Sequence, residues 1–247
     1  MANLKAVDAD KLDALIADIA DATREKTGKT YLIPDEEIPN EIRSIETGGG
    51  DDLYRQMIDG SISGEVIFPE GITTIRNGAF YYCGLITKIV VPDSVTSIGD
   101  DAFSYCSKLE ELILGKGITT VPYQMARHTS ALKELVVPHG VTTLKDYCFN
   151  NMALYNLWLP NTITKIGATS FNTCKSLRNL TLESGFNCAF NVSVATLLTV
   201  ESLIGMFEAL ADLTGQTAKT LTIGATNIAK LTEEQIAIAT EKNWTIA

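Results

Sequence analysis

Between Glu65 and Leu182 the apolar positions of this chain return every 22–23 residues. Pro69, Pro92, Gly115, Pro138 and Pro160 punctuate the stretch at intervals of 23, 23, 23 and 22. An alternating apolar pair precedes the later points: Ile89 and Val91, Leu112 and Leu114, Leu135 and Val137, Leu157 and Leu159. The pattern returns at Leu180 and Leu182. Alternation with β-branched residues predicts short strands whose paired residues face inward. After the punctuation come Ile72, Val95, Ile118, Val141 and Ile163, then Ile75, Ile98, Val121, Leu144 and Ile166. An aromatic follows at Phe80, Phe103, Phe149 and Phe171, and Ile86, Leu109, Leu132, Leu154 and Leu177 close the units. One such unit cannot bury its own apolar side. Stacking the units makes columns of like residues and a continuous core, so the pattern predicts a β-rich solenoid of about five turns.

The columns explain other residues. Cys83, Cys106 and Cys174 each stand three residues after the repeat Phe, and Cys148 takes the small-residue slot of Ala79 and Ala102. Small thiols suit a buried column. Thr73, Thr96, Thr119, Thr142 and Thr164 form a further column, where hydroxyls can hydrogen-bond along a ladder. The third unit departs from the rule. It has Pro122 where units two and five have Gly, Ala126 in place of Phe, and Thr129 in place of Cys. Losing a Phe from a stacked core is costly, and Met125 is the neighbour able to fill the space.

The flanks read differently. Residues 1–28 predict a helix with Asp8 or Asp10 as N-cap, an apolar stripe of Leu12, Leu15, Ile16 and Ile19, and Gly28 after its end. So narrow a stripe needs a partner, either the same chain or copies of it. Pro39 to Ser44 and Leu53 to Asp59 predict short helices on either side of the Gly48-Gly49-Gly50 joint. Beyond Leu182 the repeat fades. Residues 200–213 predict a helix with Leu203, Phe207 and Leu210 on one face. A strand is expected at Leu221-Thr222-Ile223, and a last helix capped by Thr232 with Gln235 at N3. The expected division is a helical attachment or oligomerisation segment with its linker (1–50), an N-terminal cap helix (51–64), the solenoid (65–199) and a C-terminal capping module (200–247).

The net charge of −10 lies entirely in the flanks: −7 over residues 1–60, 0 over 61–199 and −3 over 200–247. No basic patch tracks phosphates, so nucleic-acid binding is not expected. No run of 18 apolar residues spans a membrane, and the acidic amphipathic start has no signal-peptide character, so synthesis in the cytoplasm without a signal peptide is expected. Five cysteines without Cys-x-x-Cys spacing argue against a disulfide framework or a zinc site.

The text Ile89-Val-Val-Pro92-Asp-Ser-Val95-Thr-Ser-Ile98-Gly-Asp-Asp-Ala102-Phe103-Ser-Tyr-Cys106-Ser-Lys-Leu109 resembles the BspA-type family of bacterial leucine-rich repeats, over roughly 65–182. That resemblance implies an α/β solenoid, a short leucine-rich-repeat horseshoe with a helical N-terminal segment and an α/β C-terminal cap. It also implies a surface protein or adhesin that binds other proteins or host surfaces, with no catalytic residues to carry over. Two further texts, Ile19-Ala-Asp-Ala-Thr-Arg24 through Ile45 and Leu221-Thr-Ile-Gly224 through Lys242-Asn-Trp244, resemble modules of tail-associated proteins of phages and prophages of Gram-positive bacteria. They imply a virion tail protein. It would be attached to other tail proteins, or self-associated as in a trimer, through residues 1–50, and would present its repeats to a host protein or glycan. The alternative is a bacterial cell-surface adhesin module.

No enzyme constellation is present. His128 and His139 lack metal-ligand spacing, and no phosphate-binding or nucleophile-elbow motif occurs. Acid pairs such as Asp100-Asp101 and Glu110-Glu111 point to opposite faces if they lie on strands. Neither catalytic residues, nor a metal, nor a cofactor is therefore expected. The candidate surface is the outward row between the inward pairs: Val90, Ile113, Val136, Trp158 and Thr181, flanked by Lys88, Glu111, Glu134, Asn156 and Asn179. Neighbouring apolar groups on a sheet face fit an interaction site. Plain β-propensity, or coverage by this chain's ends or another subunit, fits them as well. A second candidate gathers Tyr81, Tyr82, Tyr105, Arg127 and His128, together with Tyr123, Tyr147 and Tyr155, on the loops around the repeat Phe. Packing between turns accounts for the same residues.

Overall fold

The computed structural model describes residues 62–68 and 71–247. Each turn of the repeat contributes one strand to each of two parallel ladders. The first ladder comprises β1 (Ser63–Val66), β3 (Leu85–Val90), β5 (Glu111–Ile113), β7 (Glu134–Val136), β9 (Asn156–Leu159) and β11 (Asn179–Leu182). These strands form two three-stranded sheets, β1–β3–β5 and β7–β9–β11, with β5 and β7 adjoining but unpaired. Within each, pairing follows the repeat period, with Ile89 opposite Leu112, and Leu157 opposite both Leu135 and Leu180. The second ladder comprises the two-residue strands β2 (Thr74–Ile75), β4 (Ser97–Ile98), β6 (Thr120–Val121), β8 (Thr143–Leu144) and β10 (Lys165–Ile166), paired as β2–β4 and as β6–β8–β10. Tight turns join them. Among the described residues up to 199 no helix occurs, so the turns are built of strand and loop alone.

The first ladder has six strands, one more than the five expected. β1 escapes the alternation rule because its register against β3 shifts between Gly64 and Glu65, where Gly64 adopts φ +75°. A bulge puts the period-2 pattern out of step, hiding a strand from a pattern search.

The core is continuous from Ile62 to Trp244. The rings of Phe80 and Phe103 pack at a tilt with centres 5.9 Å apart, those of Phe149 and Phe171 at 5.5 Å, and those of Phe171 and Phe190 at 5.6 Å. The aromatic column breaks at the third turn, where Met125 and Ala126 are both fully buried. The Thr column is a ladder as expected: the hydroxyls of Thr96, Thr142 and Thr164 each donate to the carbonyl of the Thr one turn earlier, at 3.3 Å. Gly115 replaces proline because a Cβ there would sit 2.2 Å from the Pro92 carbonyl oxygen.

All five cysteines are free and buried. Burial pushes the thiols of Cys83 and Cys174 up to about 12, and raises those of Cys106 and Cys148 as well. Such thiols are protonated and inert, like small hydrophobes.

Past the last repeat strand, α1 (Val200–Ala209) covers β11. The Thr199 side chain caps it, accepting from the Ser202 amide, and the Ser202 hydroxyl in turn bonds the Leu180 backbone. Leu203, Met206 and Phe207 close over the end of the core. The expected helix over 200–213 thus stops earlier, because Leu210 is extended and bridges to Phe186. A second, parallel sheet follows, with β13 (Lys219–Thr222) between β12 (Phe190–Asn191) and β14 (Trp244–Ile246). The short helix α2 (Ala225–Ile228) and α3 (Glu233–Thr240) complete the module, and Thr232 and Gln235 form the full capping box.

This module is fixed by polar side chains seated on backbone carbonyls. The Lys242 ammonium donates to the carbonyls of Phe207, Glu208 and Leu210 (3.1, 2.6 and 3.1 Å), satisfying the end of α1. Lys230 donates to Thr196 and Leu198, buried Asn227 to Ala195 and Ile223, and the Trp244 indole to Ala211. The sequence text around Lys230 and Lys242–Trp244 is therefore the hydrogen-bonding kit of this end. The predicted helices of residues 1–59, with Leu12, Leu15, Ile16 and Ile19, lie outside the described residues.

Candidate functional site

The outward residues of the first ladder form rows because, beyond the bulge at Gly64, the strands of each of its two sheets pair in register. Val90 lies opposite Ile113, and Trp158 opposite both Val136 and Thr181. Val136 is 61% exposed and Ile113 44%, while Val90 and Trp158 are half-buried and Thr181 is exposed. The register also brings Ile67 into this row, since Val66 pairs with Ile89. Ile67 is 77% exposed, the most exposed large apolar side chain described. Sequence reasoning missed it together with the bulged strand before it. The only available signal was the 23-residue spacing from Val90.

The flanking row is a chain of polar contacts. The Lys88 ammonium lies 3.6 Å from Glu65 and 3.4 Å from Glu111, which together raise its pKa, Glu111 the more. Asn156 donates to the Glu134 carboxylate, and Asn179 donates to Asn156 at 2.8 Å. These contacts hold the polar side chains along the sheet, beside the apolar row. On the other side, Asp93 accepts from the Lys116 amide, and His139 stands 3.8 Å from Glu183. An apolar strip with a polar rim is the layout of a protein-binding surface.

The second candidate set divides. Tyr82 and Tyr105 stack at 4.4 Å, His128 stacks on Tyr105 at 4.7 Å, and Tyr81 meets both tyrosines edge-on. Arg127 donates to the Tyr105 hydroxyl, which raises its pKa. Tyr123 instead pairs with Tyr147, and Tyr155 lies on the first-sheet side under Lys133 and Arg178. Tyr82, Tyr105, His128 and Asn151 are equivalent positions, all with left-handed backbone (φ 64, 63, 59 and 52°). Asn and His suit that conformation and the tyrosines do not. The rings are thus held by repeat geometry and stack with one another.

Asp100 and Asp101 lie in a turn rather than on a strand, which overturns the strand-based expectation for that pair. Asp100 accepts from Lys145 and the Tyr123 amide, and Asp101 from Ser104. Asp100 thus ties neighbouring turns together, and Asp101 braces its own turn. Among the described residues no group of His, Cys, Asp and Glu could hold a metal ion, and no helix is long and apolar enough to cross a membrane.

Among solved structures, the leucine-rich repeat protein of T. pallidum shares the fold: TM-score 0.55, 20% identity, 74% of this chain and 85% of that one. A leucine-rich cell surface protein from Faecalibacterium prausnitzii is 30% identical over 48% of this chain, with TM-score 0.46. This chain spans only 31% of that protein's length. A leucine-rich repeat protein from Bacteroides ovatus is 20% identical over 64% of this chain and 42% of that one, with TM-score 0.47. No curated protein sequence matches. The sequence profile of the BspA type leucine rich repeat region matches in six copies, over residues 60–156 and 142–195, in line with the six strands of the first ladder. The chain therefore belongs to the BspA-type leucine-rich repeat family.

Proposed function

We propose that this is a non-enzymatic binding protein whose first sheet engages a protein partner, in the manner of a bacterial cell-surface adhesin module. The observation that carries the reading is the apolar row from Ile67 to Trp158, exposed at Ile67, Ile113 and Val136 and bordered by ordered polar side chains. In this reading residues 65–199, curved as a shallow horseshoe, present the surface. Residues 51–64 and 200–247 cap it, and residues 1–50 attach or oligomerise the chain. Family membership supports the cell surface as its location.

The test is a photo-crosslinking amino acid placed at Val136, and separately at Lys165 on the second ladder, in the native host. The expected result is a discrete crosslinked partner from position 136 alone. Equal crosslinking from both positions would overturn the assignment of the face.

A second reading, attachment to a phage or prophage tail, is supported by the resemblance of both chain ends to tail-associated modules. Immunolabelling separates the two. Label on intact cells supports the first, and label on purified particles the second. Hydrolysis of cell-wall glycans by purified protein, lost on mutation of a residue of this chain, would overturn the non-enzymatic reading.

A further inference from the structure

We propose that the occupant of this face is a basic amphipathic α-helix of the partner, laid across the strands along the Ile67–Trp158 row. This rests on the reading above and names the chemistry of its partner. Paired strands stand about 4.8 Å apart, and β5 and β7 adjoin without pairing, so five apolar residues on successive strands form a strip roughly 19 Å long. A helix advances about 5.4 Å per turn. Apolar residues at i, i+4, i+7 and i+11 therefore follow the strip with a drift of about 2 Å over its length. An extended peptide crossing the strands presents same-side residues about 6.6 Å apart and loses register by its third residue.

Charge decides the rest. Over the first four strands the strip is bordered by the carboxylates of Glu65, Asp93, Glu111 and Glu134, against the ammonium groups of Lys88 and Lys116, so acidic groups prevail there. Lys88 is already shared between Glu65 and Glu111. Lys133, just before β7, and Arg178, just before β11, stand over the Tyr155 ring, so cationic groups gather from the fourth strand onward. The strip therefore lies in an acidic border at its β1 end, which favours Lys and Arg beside the apolar stripe of the partner.

The test is selection of 20-residue peptides from an unconstrained displayed library against the full chain. Recovered peptides are then measured on Val136→Asp, Glu111→Lys and, as a control on the other ladder, Lys165→Glu. Val136 is exposed, so Val136→Asp costs little more than strand propensity and leaves the protein folded. The expected peptides become helical on binding and carry Lys or Arg beside an i, i+4, i+7 apolar stripe. They lose about tenfold or more in affinity on Val136→Asp, weaken with added salt and on Glu111→Lys, and ignore Lys165→Glu. Peptides that need Val136 but bind extended, or are acidic, overturn the helix and leave the face standing. Peptides indifferent to Val136→Asp, or no binders at all, overturn both.

Discussion

The break in the aromatic column at the third turn makes a quantitative prediction. The Phe103 amide donates to the Met125 carbonyl at 2.8 Å, as the Phe80 amide donates to that of Ala102 at 2.7 Å. Met125 thus occupies on turn three the slot of Ala102, and Ala126 that of Phe103. Both are fully buried, so the two substitutions exchange volume between adjacent columns. Met125→Ala alone empties a closed space and costs about 3 kcal/mol. Ala126→Phe alone forces a ring against the Met125 side chain and costs about 2 kcal/mol. Together they restore the Ala–Phe pair of turn two and cost about 1 kcal/mol or less. Measured in urea by far-UV circular dichroism, the cycle should show a favourable coupling of about 4 kcal/mol. Calorimetry should show Tm falling by about 6–12 °C for Met125→Ala and recovering most of that in the double variant. Additive losses would refute the claim that one volume is shared between these positions.

Other consequences are independent. The buried thiols of Cys83 and Cys174 sit near 12, against an ordinary value of 9.0. The unfolded chain therefore ionises first, and stability falls as pH rises from about 9 toward 12, by up to about 1.4 kcal/mol per pH unit per thiol. Cys83→Ala should flatten that slope, and a thiol reagent should label neither residue in the native state at pH 8. Lys242→Met leaves three carbonyls at the end of α1 without their donor, at a cost of about 1–3 kcal/mol. Amide exchange over residues 200–210 should accelerate first. Gly224→Ala places a methyl 2.8 Å from the Ser193 Cβ at φ +78°, so a loss of about 1–3 kcal/mol is expected in a thermal melt.

The sequence by itself determined the repeat. Its 23-residue period placed the inward columns, the threonine ladder and the buried cysteines, because stacking identical turns makes sequence spacing and spatial neighbourhood the same thing. The same logic reached Val90, Ile113, Val136 and Trp158, and local capping rules reached the last helix through Thr232 and Gln235. Tertiary structure decided what no period encodes. The bulge at Gly64 restored β1 and put Ile67 at the head of the exposed row. Three-dimensional packing separated Tyr123 and Tyr155 from the Tyr82–Tyr105–His128 stack, since residues near one another in sequence point to different sides of a turn. It also sent Lys230 and Lys242 onto carbonyls more than 30 residues away, contacts set by how the C-terminal module folds back on α1.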